Sequence, residues 1–226
     1  MDSAVIFDVD GVLLDLTAAE EDAFFLAFQR LHGITGLSRD WDSYRVRNDE
    51  RIIAEIVERH RLPAGAHAAI VAEYLAILSD GLSSQSLMAV EIPGARELLK
   101  PVSGQRLGIA TANLLSAAQL RLQSVGLWEP VSALAFGAEG SGHKRETVAL
   151  AIAATGLPKE RIIYIGDNLN DVDAGLSNGV HFIGFAQDAE RREKLRAAGA
   201  RHISGDHATT LAIVRQLTEA PGVHGA

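Results

Sequence analysis

Cysteine is absent from the chain, which excludes disulfides, thiolate-ligated zinc and a cysteine nucleophile together. Positive charge is in short supply: 21 Lys and Arg stand against 29 Asp and Glu, a net charge of −8. A field of that sign repels phosphate backbones, so no nucleic-acid partner is expected, while a local site for a small phosphorylated molecule remains compatible with it. No apolar stretch approaches the roughly 18 residues of a membrane span, and no basic n-region precedes the short apolar segment that follows Met1-Asp2-Ser3. No membrane partner is expected, and the expected location is the cytoplasm. Internal repeats are lacking too.

What is present is the composition of a folded globular protein, with 226 residues, 47% hydrophobic and 22% charged, which sets aside disordered and collagen-like classes. The length suits one large domain, or one domain carrying an insertion. Short apolar runs without polar alternation read as fully buried strands at Ala4 to Phe7, Leu107 to Ala110, Ala133 to Phe136, Ile162 to Ile165 and Phe182 to Phe185. Helical spacing lies between or after them, at Ala95 to Lys100, Leu115 to Val125, Thr147 to Thr155, Val172 to Leu176, Arg191 to Ala197 and Ala208 to Leu217. That alternation predicts an α/β fold, a parallel sheet covered by helices on both faces. Gly126, Gly156, Gly179 and Gly199 fall where left-handed helix ends would place them.

Asp15 to Met88 breaks the rhythm, with helical patterns at Thr17 to Leu31, Glu50 to His60 and Ala66 to Leu78 and no convincing strand between them. It reads as a helical insertion. Ser79 to Ser86 and Ile92-Pro93-Gly94 read as the return to the main domain, and Glu219 to Ala226 as a frayed tail.

Chemistry concentrates at the ends of the predicted strands. Phe7-Asp8-Val9-Asp10-Gly11 closes the first, and two carboxylates there are too costly for a core but suit the carboxyl edge of a parallel sheet, where ligands bind. The bland alternative is a pair of solvated aspartates before a glycine turn. Gly166-Asp167-Asn168-Leu169-Asn170-Asp171-Val172-Asp173 follows a second strand in the same way. Asp8 and Asp167 on neighbouring strand ends, with Asp171 one helical turn on, would make an all-oxygen site suited to Mg²⁺, the bland alternative being an Asn/Asp-rich helix cap. Asp173 reads only as a first-turn charge. Thr111, in Ala110-Thr111-Ala112-Asn113, ends a third strand, and its hydroxyl with the following backbone N–H groups would hold a phosphate, although Thr and Asn are also ordinary helix caps. Lys144 opens a helix, against the dipole, and so points to an anionic partner or to plain solvation.

Asp-x-Asp-Gly-Val, then Thr111, then Lys144, then Gly-Asp-x-x-x-Asp resembles, in that order, the haloacid dehalogenase-like hydrolase superfamily, over residues 5 to 173. The late strand and helix at Gly179 to Gly184 and Leu195 to Ala200 look similar too. The resemblance implies a Rossmannoid core over residues 1–14 and 89–226 with a helical cap of the C1 type over 15–88, hinged at Leu14 to Asp15 and Ala89 to Pro93. It implies Asp8 as the nucleophile that forms an aspartyl-phosphate and Asp10 as general acid, then base. Mg²⁺ would be held by Asp8, the Asp10 backbone carbonyl and Asp167, with Asp171 in support. Thr111, Ala112, Asn113 and Lys144 would grip the phosphoryl group. The second aspartate separates this pattern from the dehalogenases, whose departing halide needs no proton. A small phosphomonoester is the expected substrate, and a mutase similar to β-phosphoglucomutase is the alternative.

The cap stretch Trp41, Tyr44, Arg45, Arg47, Asn48, Asp49 and Arg51 holds candidates for substrate contact, or simply a helix start with Asn48 or Asp49 as its cap. Residues 15–88 contain no lysine, which disfavours a phosphonatase-like Schiff base. Lys144 lacks the proline that follows it in many relatives, which leaves two readings open: His143 or Arg145 shares its work, or His143 is a surface loop residue. Gly137 to Lys144 resembles a P-loop only loosely, because His143 and Arg145 flank the lysine. A non-catalytic binding module would be expected to have lost Asp8, Asp10 or Asp167. His202 and His207 lack a third partner at metal-ligand spacing and read as surface or packing residues.

Overall fold

A computed structural model of the protein describes residues 2–102 and 104–219. The chain runs β1 (Ala4–Phe7), β2 (Leu14–Asp15), α1 (Ala18–His32), α2 (Asp49–Arg59), α3 (Ala66–Ser83), β3 (Val90–Glu91), α4 (Ala95–Leu99), β4 (Arg106–Ala110) and α5 (Leu115–Ser124). It continues through β5 (Ala135–Phe136), α6 (Lys144–Thr155), β6 (Ile162–Gly166), α7 (Leu169–Asn178), β7 (His181–Phe185), α8 (Ala189–Ala197), β8 (His202–Ser204) and α9 (His207–Glu219). Apart from Glu219, the predicted tail lies outside the described residues. No described helix is long and apolar enough to cross a membrane.

Six strands form one parallel sheet in the order β5-β4-β1-β6-β7-β8. Alternate side chains of a strand point to opposite faces, and both faces are apolar. Val5, Phe7, Ile109, Ile163, Ile165 and Phe185 pack on one side with Leu98 of α4, Leu122 of α5 and Val214 of α9. Ala4, Ile6, Ile162, Tyr164 and Phe182 pack on the other with Val148 of α6, Val172 of α7 and Leu195 of α8. The result is a three-layer, Rossmannoid α/β fold. β1 lies in the middle, paired with β4 on one side and β6 on the other, so the three chemistry-bearing strand ends adjoin one another at the point where strand order reverses.

Helices α1, α2 and α3 share an apolar cluster of their own, built on Phe24, Phe28, Ile53, Ile56, Ile70 and Leu78, which reaches Leu114 and Ala117 beside and within α5. Thr17 starts α1 through a capping box with Glu20. The chain leaves the sheet and returns to it side by side, because β2 and β3 pair antiparallel, Leu14 with Glu91 and Asp15 with Val90.

Several elements differ from expectation, the two-residue strands β2 and β3 among them. α3 runs on to Ser83 through the predicted return at Ser79 to Ser86. Its buried face continues past Leu78 to Gly81, where a Cβ would stand 2.3 Å from Leu87 Cδ1, so packing prevails over the poor helix propensity of serine and glycine. Of Ala133 to Phe136, only Ala135 and Phe136 pair with β4, since Glu129–Leu134 form 3₁₀ turns opened by Pro130. β8 was not anticipated, being three residues at the sheet edge. The four glycines expected at helix ends all have positive φ, from 65° to 106°.

Candidate active site

Asp8 and Thr111 directly follow β1 and β4, and Asp167 directly follows β6. The register fixes their relation, because Phe7 pairs with both Ile109 and Ile165. The Asp8 N–H continues the ladder to the Ile165 carbonyl (2.8 Å), and its own Oδ1 accepts from the Val9 N–H (2.8 Å). The carboxylate is thereby held in one rotamer at the floor of a cleft of about 250 Å³. Gly11 is required beside it. Its φ of 72° is left-handed, and a Cβ there would lie 2.2 Å from Asp167 Oδ2.

Asp171 is fully buried within α7 and accepts four donors: the Tyr164 hydroxyl (2.6 Å), the N–H groups of Asp167 (3.2 Å) and Asn168 (3.0 Å), and Lys144 Nζ (3.2 Å). It closes the acidic loop back on itself, an approach that Gly166 permits because a Cβ there would meet Asp171 Cβ at 2.3 Å. Lys144, at the start of α6, spans from Asp171 to Asp8 Oδ1 (2.7 Å). Its burial would depress its pKa, but Asp171 and Asp8 outweigh that and hold it above the ordinary lysine value. Burial raises the Asp8 pKa well above the ordinary range; Lys144 opposes this, and Asp171 and Asp167 add to it. Asp167 is pushed up to about 7, first by burial and then by Asp171, against Arg191 and Lys144. Arg191 of α8 pairs with Asp167 Oδ2 (2.7 Å) and donates to its carbonyl (2.8 Å). Asp8, Asp167 and Asp171 each bring an oxygen within 4.8 Å of the others. Such a donor set, all oxygen and rich in charge, is that of a hard divalent cation.

The Asp10 carboxylate is held apart from this cluster by Arg121, whose Nη2 lies 2.7 Å from Asp10 Oδ1. Thr111 Oγ1 accepts from the Asn113 N–H (3.1 Å) and donates to Asn113 Oδ1 (3.1 Å), forming a tight turn on the cleft wall. The N–H groups at the start of α5 are already engaged, Leu114 by Asp49 Oδ2 (2.9 Å) and Leu115 by Glu139 (2.8 Å). The Thr111 and Asn113 N–H groups and the Thr111 hydroxyl are engaged as well, which leaves the Ala112 N–H and the Asn113 side-chain amide as the donors of this turn open to an anion, with the Thr111 hydroxyl able to turn from Asn113.

Of the insertion residues singled out in the sequence, Trp41, Arg47, Asn48 and Asp49 line the cleft. Asn48 also caps α2, accepting from the Arg51 N–H (3.1 Å). Tyr44 is buried among the helices, while Arg45 turns outward to Glu58. His143 and Arg145 stand apart from the contacts of Lys144: His143 does not line the cleft, and Arg145 pairs with Asp173 on the surface (2.8 Å). His207 is a packing residue, stacked on Phe185 and bonded to the Val12 carbonyl (2.8 Å). Sequence reasoning missed Glu20, Glu21, Phe24, Tyr74, Arg121 and Arg191, which also line the cleft. Each sits in an ordinary amphipathic helix and carries no local signature.

The family model for "Haloacid dehalogenase-like hydrolase" matches residues 5–185. The chain belongs to this family. Within it, similarity extends to "Probable phosphatase IndB" of Dickeya dadantii, 27% identical over 213 residues, covering 88% of this chain and 87% of the relative. It extends as well to "Phosphorylated carbohydrates phosphatase" of Thermotoga maritima, 28% identical over 207 residues, covering 87% and 91%. Among solved structures, CbbY from Rhodobacter sphaeroides in complex with phosphate superposes with a TM-score of 0.72 at 24% identity, covering 92% of this chain and 96% of that one. That last likeness concerns the fold. As a member of the family, the chain is a hydrolase.

Proposed function

We propose that this haloacid dehalogenase-like hydrolase is a Mg²⁺-dependent phosphatase acting on a small phosphomonoester, such as a phosphorylated carbohydrate, through an aspartyl-phosphate on Asp8. The observation that carries the reading is the division of the carboxylates. Asp8, Asp167 and Asp171 gather at one point, with Lys144 between Asp8 and Asp171, while Asp10 is held separately in the same cleft. The phosphatase class is supported by both relatives, whose names say phosphatase.

Asp8 is fixed by Val9 and Lys144 with its carboxylate facing the cleft. A carboxylate oxygen of Asp8 forms the new bond to phosphorus as the ester P–O bond breaks. Asp10 delivers a proton to the departing alkoxide. In the second half it takes a proton from water, whose oxygen attacks phosphorus and frees Asp8. Thr111, Ala112, Asn113 and Lys144 surround the phosphoryl oxygens, Lys144 offsetting their charge. The three-carboxylate donor set and the cradle kept open by Gly11 fit Mg²⁺, to be held by Asp8, Asp167 and the Asp10 carbonyl with Asp171 behind them. When bound, it supplies positive charge that offsets repulsion between the phosphoryl group and these carboxylates.

Residues 15–88 act in this reading as a cap over the cleft. Support comes from their separate apolar cluster, the paired crossings β2 and β3, and the cleft wall formed by Trp41, Arg47, Asn48 and Asp49. The carbohydrate class is supported by the Thermotoga maritima relative.

The test is phosphate release from a panel of phosphomonoesters with Mg²⁺, with chelator, and with Asp8→Asn. Release that requires Mg²⁺ and vanishes in a folded Asp8→Asn protein is the expected result. Normal turnover in that variant removes the nucleophile assignment, and a folded, Mg²⁺-loaded wild type inert across the panel overturns the phosphatase reading.

A further inference from the structure

Arg121 is the largest fully buried side chain among the described residues, at 2% exposure, and none of the roles above uses it. It lies on α5, in the ordinary helical sequence Leu115-Ser116-Ala117-Ala118-Gln119-Leu120-Arg121. Burying a guanidinium costs several kcal/mol unless its fork is met by well-placed acceptors. Here every nitrogen is engaged. Nη2 donates to Asp10 Oδ1 (2.7 Å) and to the Asp15 carbonyl (3.2 Å), Nε to Glu20 Oε1 (2.6 Å), and Nη1 to Asn113 Oδ1 (3.3 Å). Burial would lower the Arg121 pKa, but Asp10 and Glu20 carry it above the ordinary arginine value, so the guanidinium stays charged.

The four acceptors come from different parts of the molecule. Asp10 follows β1, Asn113 stands in the Thr111 turn, Asp15 ends β2 where the chain enters the insertion, and Glu20 belongs to the first turn of α1. Glu20 is itself immobilised, because its Oε2 accepts from the Thr17 N–H (2.8 Å) and hydroxyl (3.0 Å). The Asp10 side chain, by contrast, is 26% exposed to the cleft. Without an anchor, a side chain so placed samples several rotamers, and a proton donor that is misaligned loses its catalytic advantage.

We propose that Arg121 is a positioning residue for proton transfer, aligning the Asp10 carboxyl and referring that alignment, through Glu20 and the Asp15 carbonyl, to the placement of α1. The inference rests on the phosphatase reading above. Arg121 engages Oδ1, so the transferable proton belongs on Oδ2. As the Asp8–phosphorus bond forms and the ester P–O bond breaks, that proton passes from Oδ2 to the leaving oxygen. In the hydrolytic half, Oδ2 takes one proton from the attacking water, and the starting state returns. Arg121 keeps its own protons throughout.

A purely structural ion pair and a positioning device differ in their dependence on the leaving group. An alkoxide needs a proton to depart, whereas p-nitrophenolate does not, and kcat/KM reports the steps up to its departure. Arg121→Lys keeps the charge and loses the fork. Its kcat/KM for an alkyl phosphate is expected to fall about a hundredfold, at least about ten times further than for p-nitrophenyl phosphate, with Asp10→Asn as the benchmark for lost proton transfer. Glu20→Gln preserves the capping box and weakens only the anchor behind Arg121. It should show the same selective loss, about tenfold, and it decides the matter if Arg121→Lys does not fold. Equal losses on both esters, or an unchanged alkyl rate, in a folded variant overturn the inference. If Asp10→Asn discriminates between the esters and neither variant does, the phosphatase reading stands and the role of Arg121 falls. A wild type inert towards both esters removes both.

Discussion

Lys144 is the residue on which the charge balance of the site turns. It is buried between Asp8 and Asp171, and removing one partner of a buried ion pair costs about 3–5 kcal/mol, since the other charge is left uncompensated. Asp8 has an escape, because its pKa is already raised by burial and it can take a proton instead. Lys144→Met is therefore expected to lose about 3 kcal/mol at pH 7.5 and less at pH 5, by urea unfolding. Its turnover should fall about 10²–10³-fold at both values. A loss of stability that does not shrink on acidification would show that Lys144 serves packing alone. Lys144, Asp8, Thr111 and Asp167 were legible in the sequence because each immediately follows a strand or opens a helix, and Asp10 because it stands two residues after Asp8 in the turn that Gly11 makes, where side-chain direction is set by a few local residues. Arg121 was not legible. Its two carboxylate partners lie 101 and 111 positions away, and nothing within α5 distinguishes it from a surface arginine.

At the scale of elements, the start of α2 shows a local preference reversed by docking. A carboxylate at a helix N-terminus is ordinarily stabilised by the dipole, yet Asp49 is pushed up to about 7. Burial outweighs its hydrogen bond from Leu114, and Asp10 adds to the shift. A carboxyl whose folded-state pKa exceeds its unfolded value of 3.8 holds its proton more tightly when folded, so its contribution falls as pH rises from about 4 to about 7. Asp49→Asn should be less affected over that range. The stability of wild type minus that of the variant should decline with pH between those limits and stay level above them, as measured by urea melts at pH 4.5, 6 and 7.5. A difference that grows with pH would place a cation beside Asp49 that outweighs its burial. The same conflict between local and tertiary forces explains which elements were readable. Strands buried on both faces announce themselves as apolar runs, and capped helices by their boundaries. β8 and the β2–β3 pair are too short for periodicity, and α3 passes through serine and glycine because its buried face continues.

At the scale of the whole molecule, the fold brings acidic groups from separate strands to one point, an arrangement adverse to stability unless a ligand compensates it. The parallel sheet and the crevice at its carboxyl edge followed from the alternation of strands and helices, whereas the strand order β4-β1-β6 and the balance of charge within the crevice depend on groups that only the folded chain brings together. Asp167 shows the consequence. Its pKa of about 7 means that ionisation opposes folding, with stability lost as pH rises from about 4 to 7. Above pH 7, Asp167→Asn should therefore unfold at a temperature no lower than wild type without added metal, despite losing its pair with Arg191. Mg²⁺ with inorganic phosphate should reverse that ranking. A ligand at a hundred times its Kd adds about 2.7 kcal/mol, which for a chain of this size corresponds to a rise in Tm of about 5–10 °C. Wild type should show this rise and Asp167→Asn should not, because one of its three carboxylates is gone. Both halves are read in one thermal-shift experiment at pH 8. An equal rise in both proteins would move the cation away from Asp167. A variant much less stable than wild type without metal would mean that the Arg191 pair, rather than the crowding of carboxylates, dominates the energetics of the acidic loop.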